Sequence, residues 1–178
     1  DDVVLVEDGR LGDALESVVK EYEVRYPQLH VVRFEKNRGL GFALNDGLTY
    51  CKHELVARMD TDDIAKPHRM EKQFVFMKAH PEIGMVGSWI DEFITDIHQI
   101  ESVRKVPEHP KEVMEYAKKR CPVNHPTVMY RKSAVIKAGM YSDYRKNQDL
   151  DLWIKMLSNG VECMNLTAHV FRFRFDEG

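Results

Sequence analysis

Leu55-Val56-Ala57-Arg58-Met59-Asp60-Thr61-Asp62-Asp63 is the stretch that decides the fold of this chain. Leu55 to Met59 reads as a short, largely apolar strand. It delivers three carboxylates within four residues just beyond its carboxyl end. Pro67 then fits the first position of a helix that carries Met70, Phe74 and Met77 on one face.

Toward the start of the chain, Val3-Val4-Leu5-Val6 is a strand closed by the turn Glu7-Asp8-Gly9. Leu11, Leu15, Val18, Val19, Tyr22 and Tyr26 recur at helical spacing up to Pro27. Val31 to Phe34 is a second strand, Asn37-Arg38-Gly39-Leu40-Gly41 a tight loop, and a helix runs on to about Tyr50. Strands alternating with helices of this length predict β-α-β units and a parallel sheet. Ligands of such sheets sit beyond the carboxyl ends of the strands, where Asp8 and the acidic run both lie.

Past Pro81 the rhythm changes to a mixed continuation. Extended pieces are expected at Met85 to Ile90, Phe93 to Ile97 and Ile100 to Val106, then a helix from about Pro110 to Arg120. Thr127 to Tyr130 reads as a strand, Lys132 to Ala138 as a short helix, and Leu150 to Leu157 as a helix with Trp153 and Met156 inward. Val170 to Phe175 alternates with period two, phenylalanines on one face and arginines on the other.

The 178 residues hold 26 Lys+Arg against 29 Asp+Glu, a net charge of −3, which fits one globular domain and argues against binding nucleic acid through a clustered basic surface. No apolar run is long enough to span a bilayer. Cys51, Cys121 and Cys163 form no C-x-x-C pair, pointing to a reduced intracellular setting and away from a cysteine zinc site. Asp1-Asp2 runs directly into Val3 with no methionine, signal peptide or helical lead-in, so the chain is expected to be a fragment cut at a strand edge.

Asp60-Thr61-Asp62-Asp63 is the densest chemical signal, because neighbouring carboxylates repel and call for a cation or polar ligand. Mg²⁺ or Mn²⁺ take oxygen ligands and commonly keep only one or two protein carboxylates, with water and phosphate supplying the rest. A solvated acidic turn capping the next helix is the other reading of the run. In Asn147-Gln148-Asp149-Leu150-Asp151, the two acids sit at the start of a helix, either as caps or with Asp149 as a general base. Asp8 is open to two readings, a plain turn residue or an acceptor for a nucleobase imide or ribose. His125, with Asn124 before Pro126, is a candidate to line the cleft. His169, ahead of the last strand, is a candidate metal ligand. No Ser-His-Asp order, G-x-S-x-G elbow or P-loop is present.

The order Glu-Asp-Gly, Asn-Arg-Gly-Leu-Gly, Asp-x-Asp-Asp, Pro-x-Arg-Met, Asn-His-Pro-Thr-Val-Met-Tyr-Arg and Gln-Asp-x-Asp-Leu-Trp resembles the family-2 glycosyltransferases from about Val3 to Leu157. The resemblance implies an α/β chain of GT-A fold, a Rossmann-like, mostly parallel sheet with helices on both faces. It also implies one domain over 1–178, with 1–80 as nucleotide-binding half and 81–178 as acceptor side, starting at the family's second strand. Asp8, Asn37, Arg38, Asp60 and Asp62 would bind the donor, Asp62 with Asp60 would serve the metal, and Asp149 would be the catalytic base. Asp63, Arg69, His125 and Asp151 would support them. Gln148 departs from the acidic residue usual beside the base.

The implied activity is inverting, Mn²⁺- or Mg²⁺-dependent transfer from a nucleotide-sugar donor, with UDP favoured, to a saccharide or lipid-linked acceptor in bacterial polysaccharide biosynthesis. The implied setting is cytoplasmic, with peripheral contact at the inner membrane face left open, as is the oligomeric state. The competing readings are an inactive fragment or pseudoenzyme that binds nucleotide or glycan, and a haloacid-dehalogenase-like phosphatase.

Overall fold

The computed structural model describes residues 2–175; the expected blunt start at Asp1, like 176–178, lies outside the described residues. β1 (Val3–Glu7) pairs in parallel with β2 (Leu29–Arg33), and α1 (Asp13–Arg25) crosses between them. Asp13 and Glu16 in the first turn of α1 and Arg25 in its last complement the helix dipole. Its Leu15, Val18 and Tyr22 stay exposed.

α2 (Leu40–Tyr50) leaves Gly39, whose φ of +96° suits glycine, and packs on β1. Two of its glycines are there for close approach. A Cβ on Gly41 would lie 2.6 Å from the Ser142 carbonyl oxygen, and one on Gly47 would lie 2.8 Å from the Val6 side chain.

A second sheet is ordered β3 (Leu55–Ala57), β7 (Met129–Arg131), β5 (Ile83–Phe93), β8 (Glu162–Arg174), β4 (Ile64–Ala65), with β6 (Ser102–Arg104) also on β5. β5 and β8 are parallel, whereas β3–β7, β5–β7, β4–β8 and β5–β6 are antiparallel. The α/β character holds, but the sheet is mixed rather than mostly parallel. The β-α-β rhythm that predicts parallel pairing ends with α3 (Arg69–Ala79); of the later strands, β6 and β7 run antiparallel to β5 while β8 runs parallel to it.

Successive residues of β5 face opposite layers. Met85 joins a core built from α2, α4 (Pro110–Ala117), α5 (Lys132–Lys137) and α6 (Gln148–Ser158), while Val86 joins Met77 of α3 and Met129. Helices therefore cover both faces. Trp153 and Met156 of α6 are fully buried, as expected, and so is Leu152, burial of an aliphatic side chain of this size contributing about 1.5–3 kcal/mol of hydrophobic free energy.

Several local expectations are corrected. β5 is one strand where separate pieces at Met85 to Ile90 and from Phe93 were expected, because it pairs with β8 from Ile83 to Phe93 through three register shifts. β8 begins at Glu162, well before Val170, and of the alternating phenylalanines Phe171 is buried whereas Phe175 is exposed. Residues His125–Thr127 form a 3₁₀ turn ahead of β7 rather than the start of a strand.

α3 starts at Arg69, not at Pro67. The Lys66 N–H still donates to the Val170 carbonyl in the sheet, and His68 turns the chain through a left-handed conformation, φ 69°. That rotates α3 so that Arg69, Gln73 and Met77 face inward and Met70 and Phe74 face solvent.

Candidate active site

The acidic run leaves β3 at the sheet's carboxyl edge, and each of its carboxylates meets a different environment. Asp60 is held by the fork of Arg58, whose Nη1 donates to Oδ2 at 2.7 Å and whose Nη2 donates to Oδ1. Burial raises the Asp60 carboxyl above its usual range despite that partner. Asp62 is exposed, and among the described residues its carboxylate has no ion-pair partner. Asp63 is buried, its Oδ1 accepting the Arg174 backbone N–H at 2.9 Å and its Oδ2 left without a partner. Burial pushes the Asp63 carboxyl up to about 6.

Arg69 does not face a ligand. Its Nη2 donates to the Arg58 carbonyl at 2.7 Å, its Nε to Gln73, and its guanidinium lies 4.8 Å over the Phe171 ring. Burial drives it down to about 10. It locks α3 beneath the acidic run. The acidic run does not cap α3, whose N-cap is His68.

Beside this edge lies a buried cluster. His125 Nε2 is 3.0 Å from the Tyr141 hydroxyl, and its ring stands 5.6 Å from that of Trp153. Burial, with the Arg58 charge adding to it, holds His125 well below the ordinary imidazole range, so it is neutral. Burial likewise raises Tyr130, to about 12, and Tyr141 well above the ordinary phenol range.

Asp149, in the first turn of α6, contributes its charge to Tyr141 and accepts from the Cys121 thiol, whose Sγ is 3.7 Å from Oδ2. Burial and that carboxylate push Cys121 up to about 11. Asn147 is the N-cap of α6, so neither acid caps the helix through its side chain. Asp151 instead accepts from the Ser142 hydroxyl at 2.6 Å and pairs with Lys155 at 2.7 Å.

Asp8 spends a hydrogen bond from each carboxylate oxygen on the 37–39 loop, 2.7 Å from the Arg38 N–H and 2.9 Å from the Gly39 N–H. Asn37 donates to the Asp8 carbonyl at 3.2 Å. The Arg38 guanidinium lies 4.9 and 5.0 Å from the Phe34 and Phe42 rings and pairs with Asp46 at 2.9 Å. These contacts dock the loop on the end of β1. They leave each Asp8 oxygen a further lone pair.

Among the described residues no group of three or more His, Cys, Asp or Glu side chains is arranged to hold a metal by itself. The donor set nevertheless fits a hard cation shared with a diphosphate: Asp62 presents an unpartnered carboxylate, and the unpartnered Oδ2 of Asp63 lies buried next to it in sequence. Asp60 fits less directly, since Arg58 occupies both its oxygens. His169 is held elsewhere, its Nδ1 2.5 Å from Asp91, which Lys66 also grips.

The structure thus pairs Asp60 with Arg58, whose charge also reaches Asp63 and His125, brings the charge of Asp149 to Tyr141, and sets Asp8, Asn37 and Arg38 at the end of β1. Sequence reasoning missed Arg58, Cys121, Tyr130 and Tyr141. An arginine inside an otherwise apolar strand, next to an acidic run, was the one available signal.

Residues 1–139 match the family described as Glycosyl transferase family 2. An uncharacterized glycosyltransferase of Haemophilus influenzae is 46% identical over 166 residues, 93% of this chain and 61% of that protein. The UDP-Gal:alpha-D-GlcNAc-diphosphoundecaprenol beta-1,3-galactosyltransferase of Escherichia coli is 34% identical over 177 residues, 99% of this chain and 64% of that protein. In structure, S. aureus TarS in complex with UDP-GlcNAc superposes with a TM-score of 0.76 at 18% identity, over 99% of this chain and half of the TarS chain. The chain spans somewhat over 60% of the length of these two sequence relatives. The fold is the expected GT-A type.

Proposed function

Because this chain belongs to glycosyl transferase family 2, we propose that it carries the catalytic centre of a metal-dependent inverting glycosyltransferase of polysaccharide biosynthesis. It takes a sugar from a nucleoside diphosphate donor, UDP favoured, and passes it to a saccharide or lipid-linked acceptor hydroxyl. Residues 1–80 supply most of the donor side and 81–178 the acceptor side. One observation supports the reading: Arg58, the partner of Asp60, and Asp149 both bring their charges to bear on the buried Tyr141, which packs with His125 and Trp153.

An acceptor hydroxyl titrates far above neutrality, so it needs a placed carboxylate to take its proton as its oxygen attacks the anomeric carbon. Asp149 is that base. As the new C–O bond forms, the bond to the diphosphate breaks on the opposite face, which inverts the anomeric centre. Asp62 would hold Mn²⁺ or Mg²⁺, which would supply positive charge offsetting that of the departing diphosphate. Asp8, Asn37 and Arg38 shape the base and ribose side, with Asp60, fixed by Arg58, facing the ribose. His125 and Tyr141, both uncharged, keep the space between the two halves dry and take no part in proton transfer.

A calorimetric screen of UDP-, dTDP-, GDP- and CDP-sugars with and without Mn²⁺ tests this proposal. Binding of one donor strengthened by Mn²⁺, followed by transfer to a polyprenyl-diphosphate saccharide, is expected. Failure to bind any of the four, or release of phosphate from a generic ester, overturns it.

A further inference from the structure

We infer that the Arg174 guanidinium is a binding group for the diphosphate of the donor; this rests on the proposed function. Arg174 closes β8 and reaches the acidic run from the opposite end of the sequence. Its backbone N–H donates to Asp63 Oδ1 at 2.9 Å and its Nε to the Asp62 carbonyl at 3.3 Å. Its Nη1 donates to the Ile94 carbonyl at 3.2 Å, and its guanidinium carbon stands 4.8 Å over the Phe93 ring. These contacts hold the group rigidly against the peptide of Asp62, the residue that presents the open carboxylate.

Among the described residues the guanidinium groups of Arg58 and Arg174 hydrogen-bond to the acidic run, with Arg69 on the Arg58 carbonyl next to it, and they differ in what they have left to offer. Arg58 spends its fork on Asp60, and Arg69 is buried on carbonyls and Gln73. Arg174 uses two of its five N–H donors, both on neutral carbonyls, so its charge is not cancelled by a carboxylate. A pre-organised arginine with three N–H donors to spare is well suited to phosphate oxygens. Placed there it adds a fixed positive charge where the leaving diphosphate develops negative charge, whether or not a cation is bound.

The test compares nucleoside diphosphate and monophosphate binding by calorimetry in the intact protein, for UDP/UMP, GDP/GMP, dTDP/dTMP and CDP/CMP, in Mn²⁺ and in EDTA. Arg174→Gln is expected to lose about 10- to 100-fold in affinity for the preferred diphosphate under both conditions, the size of a charge-assisted pair. Monophosphate affinity stays unchanged, which also reports that the fold is intact. Arg174→Lys, retaining the charge without the fork, falls between.

Equal loss of diphosphate and monophosphate affinity, or no loss, overturns the inference. In transfer kinetics, a raised KM for a polyprenyl-diphosphate acceptor with donor KM unchanged assigns the guanidinium to the acceptor's diphosphate and likewise overturns it. If the wild-type protein binds none of the diphosphates, the proposed function itself fails.

Discussion

Arg58 and Asp60, two residues apart where the chain leaves β3, close a fork-to-carboxylate ion pair whose arginine is buried and whose aspartate is one-third exposed, with side-chain exposures of 5% and 32%. The pair leaves Asp62, not Asp60, as the open acid of the run. Removing Arg58 strands a half-buried carboxylate. Arg58→Met is expected to cost about 2–3 kcal/mol, at or below the low end for breaking a buried pair because Asp60 retains some water. Urea denaturation checks this. A loss under about 0.5 kcal/mol, the level of a neutral surface change, would show the pair to be ornamental.

Asp62→Ala is expected to leave stability within about 0.5 kcal/mol, since the side chain is exposed. Its effect falls on Mn²⁺-strengthened nucleotide binding, which should weaken toward the affinity measured in EDTA. Calorimetry with and without Mn²⁺ decides it; unchanged metal dependence would remove Asp62 from the metal site.

Asp149→Asn is expected to lower transfer by about 10²- to 10⁴-fold, the usual contribution of a general base, while nucleotide affinity stays the same. Rate and binding measured on one preparation separate the two effects. Parallel loss of both would make Asp149 a structural residue.

His125 is neutral in the folded protein because burial depresses it well below its free value of 6.5. The unfolded chain therefore binds a proton that the folded chain refuses once the pH drops below about 6.5. The stabilising difference is fully present above that value and is lost as pH falls toward the folded-state value, by up to about 1.4 kcal/mol per pH unit. Thermal melts between pH 7 and 5 should show a shallower decline in His125→Gln than in the wild type; identical slopes would contradict the assignment.

Gly41→Ala places a Cβ 2.6 Å from the Ser142 carbonyl, where backbone rather than a movable side chain must give way. Overpacking of this kind costs about 1–3 kcal/mol and pushes α2 away from the loop at Tyr141 and Ser142. Asn45, whose Nδ2 donates to the Tyr141 carbonyl at 2.8 Å, loses its register with it. A Tm equal to wild type would refute this close approach.

The opening strand–helix–strand, the acidic run at a strand end and Asp149 in the first turn of an amphipathic helix were all legible in the sequence. Each is written in short-range terms: a period of two or 3.6, a turn residue, a carboxylate a few positions from an apolar stripe. α3 starts two residues past the expected Pro67 because its start depends on Lys66 still pairing with Val170 in β8, a partner no local pattern announces. Which strands β5 pairs with was not legible for the same reason. The sequence by itself determined which residues could do the chemistry. Only the tertiary structure decided which of them are already spent, because Arg58's grip on Asp60 is local, whereas the approach of Arg174 to Asp62 and Asp63 joins residues more than a hundred positions apart that meet only when β8 is laid along β4 and β5.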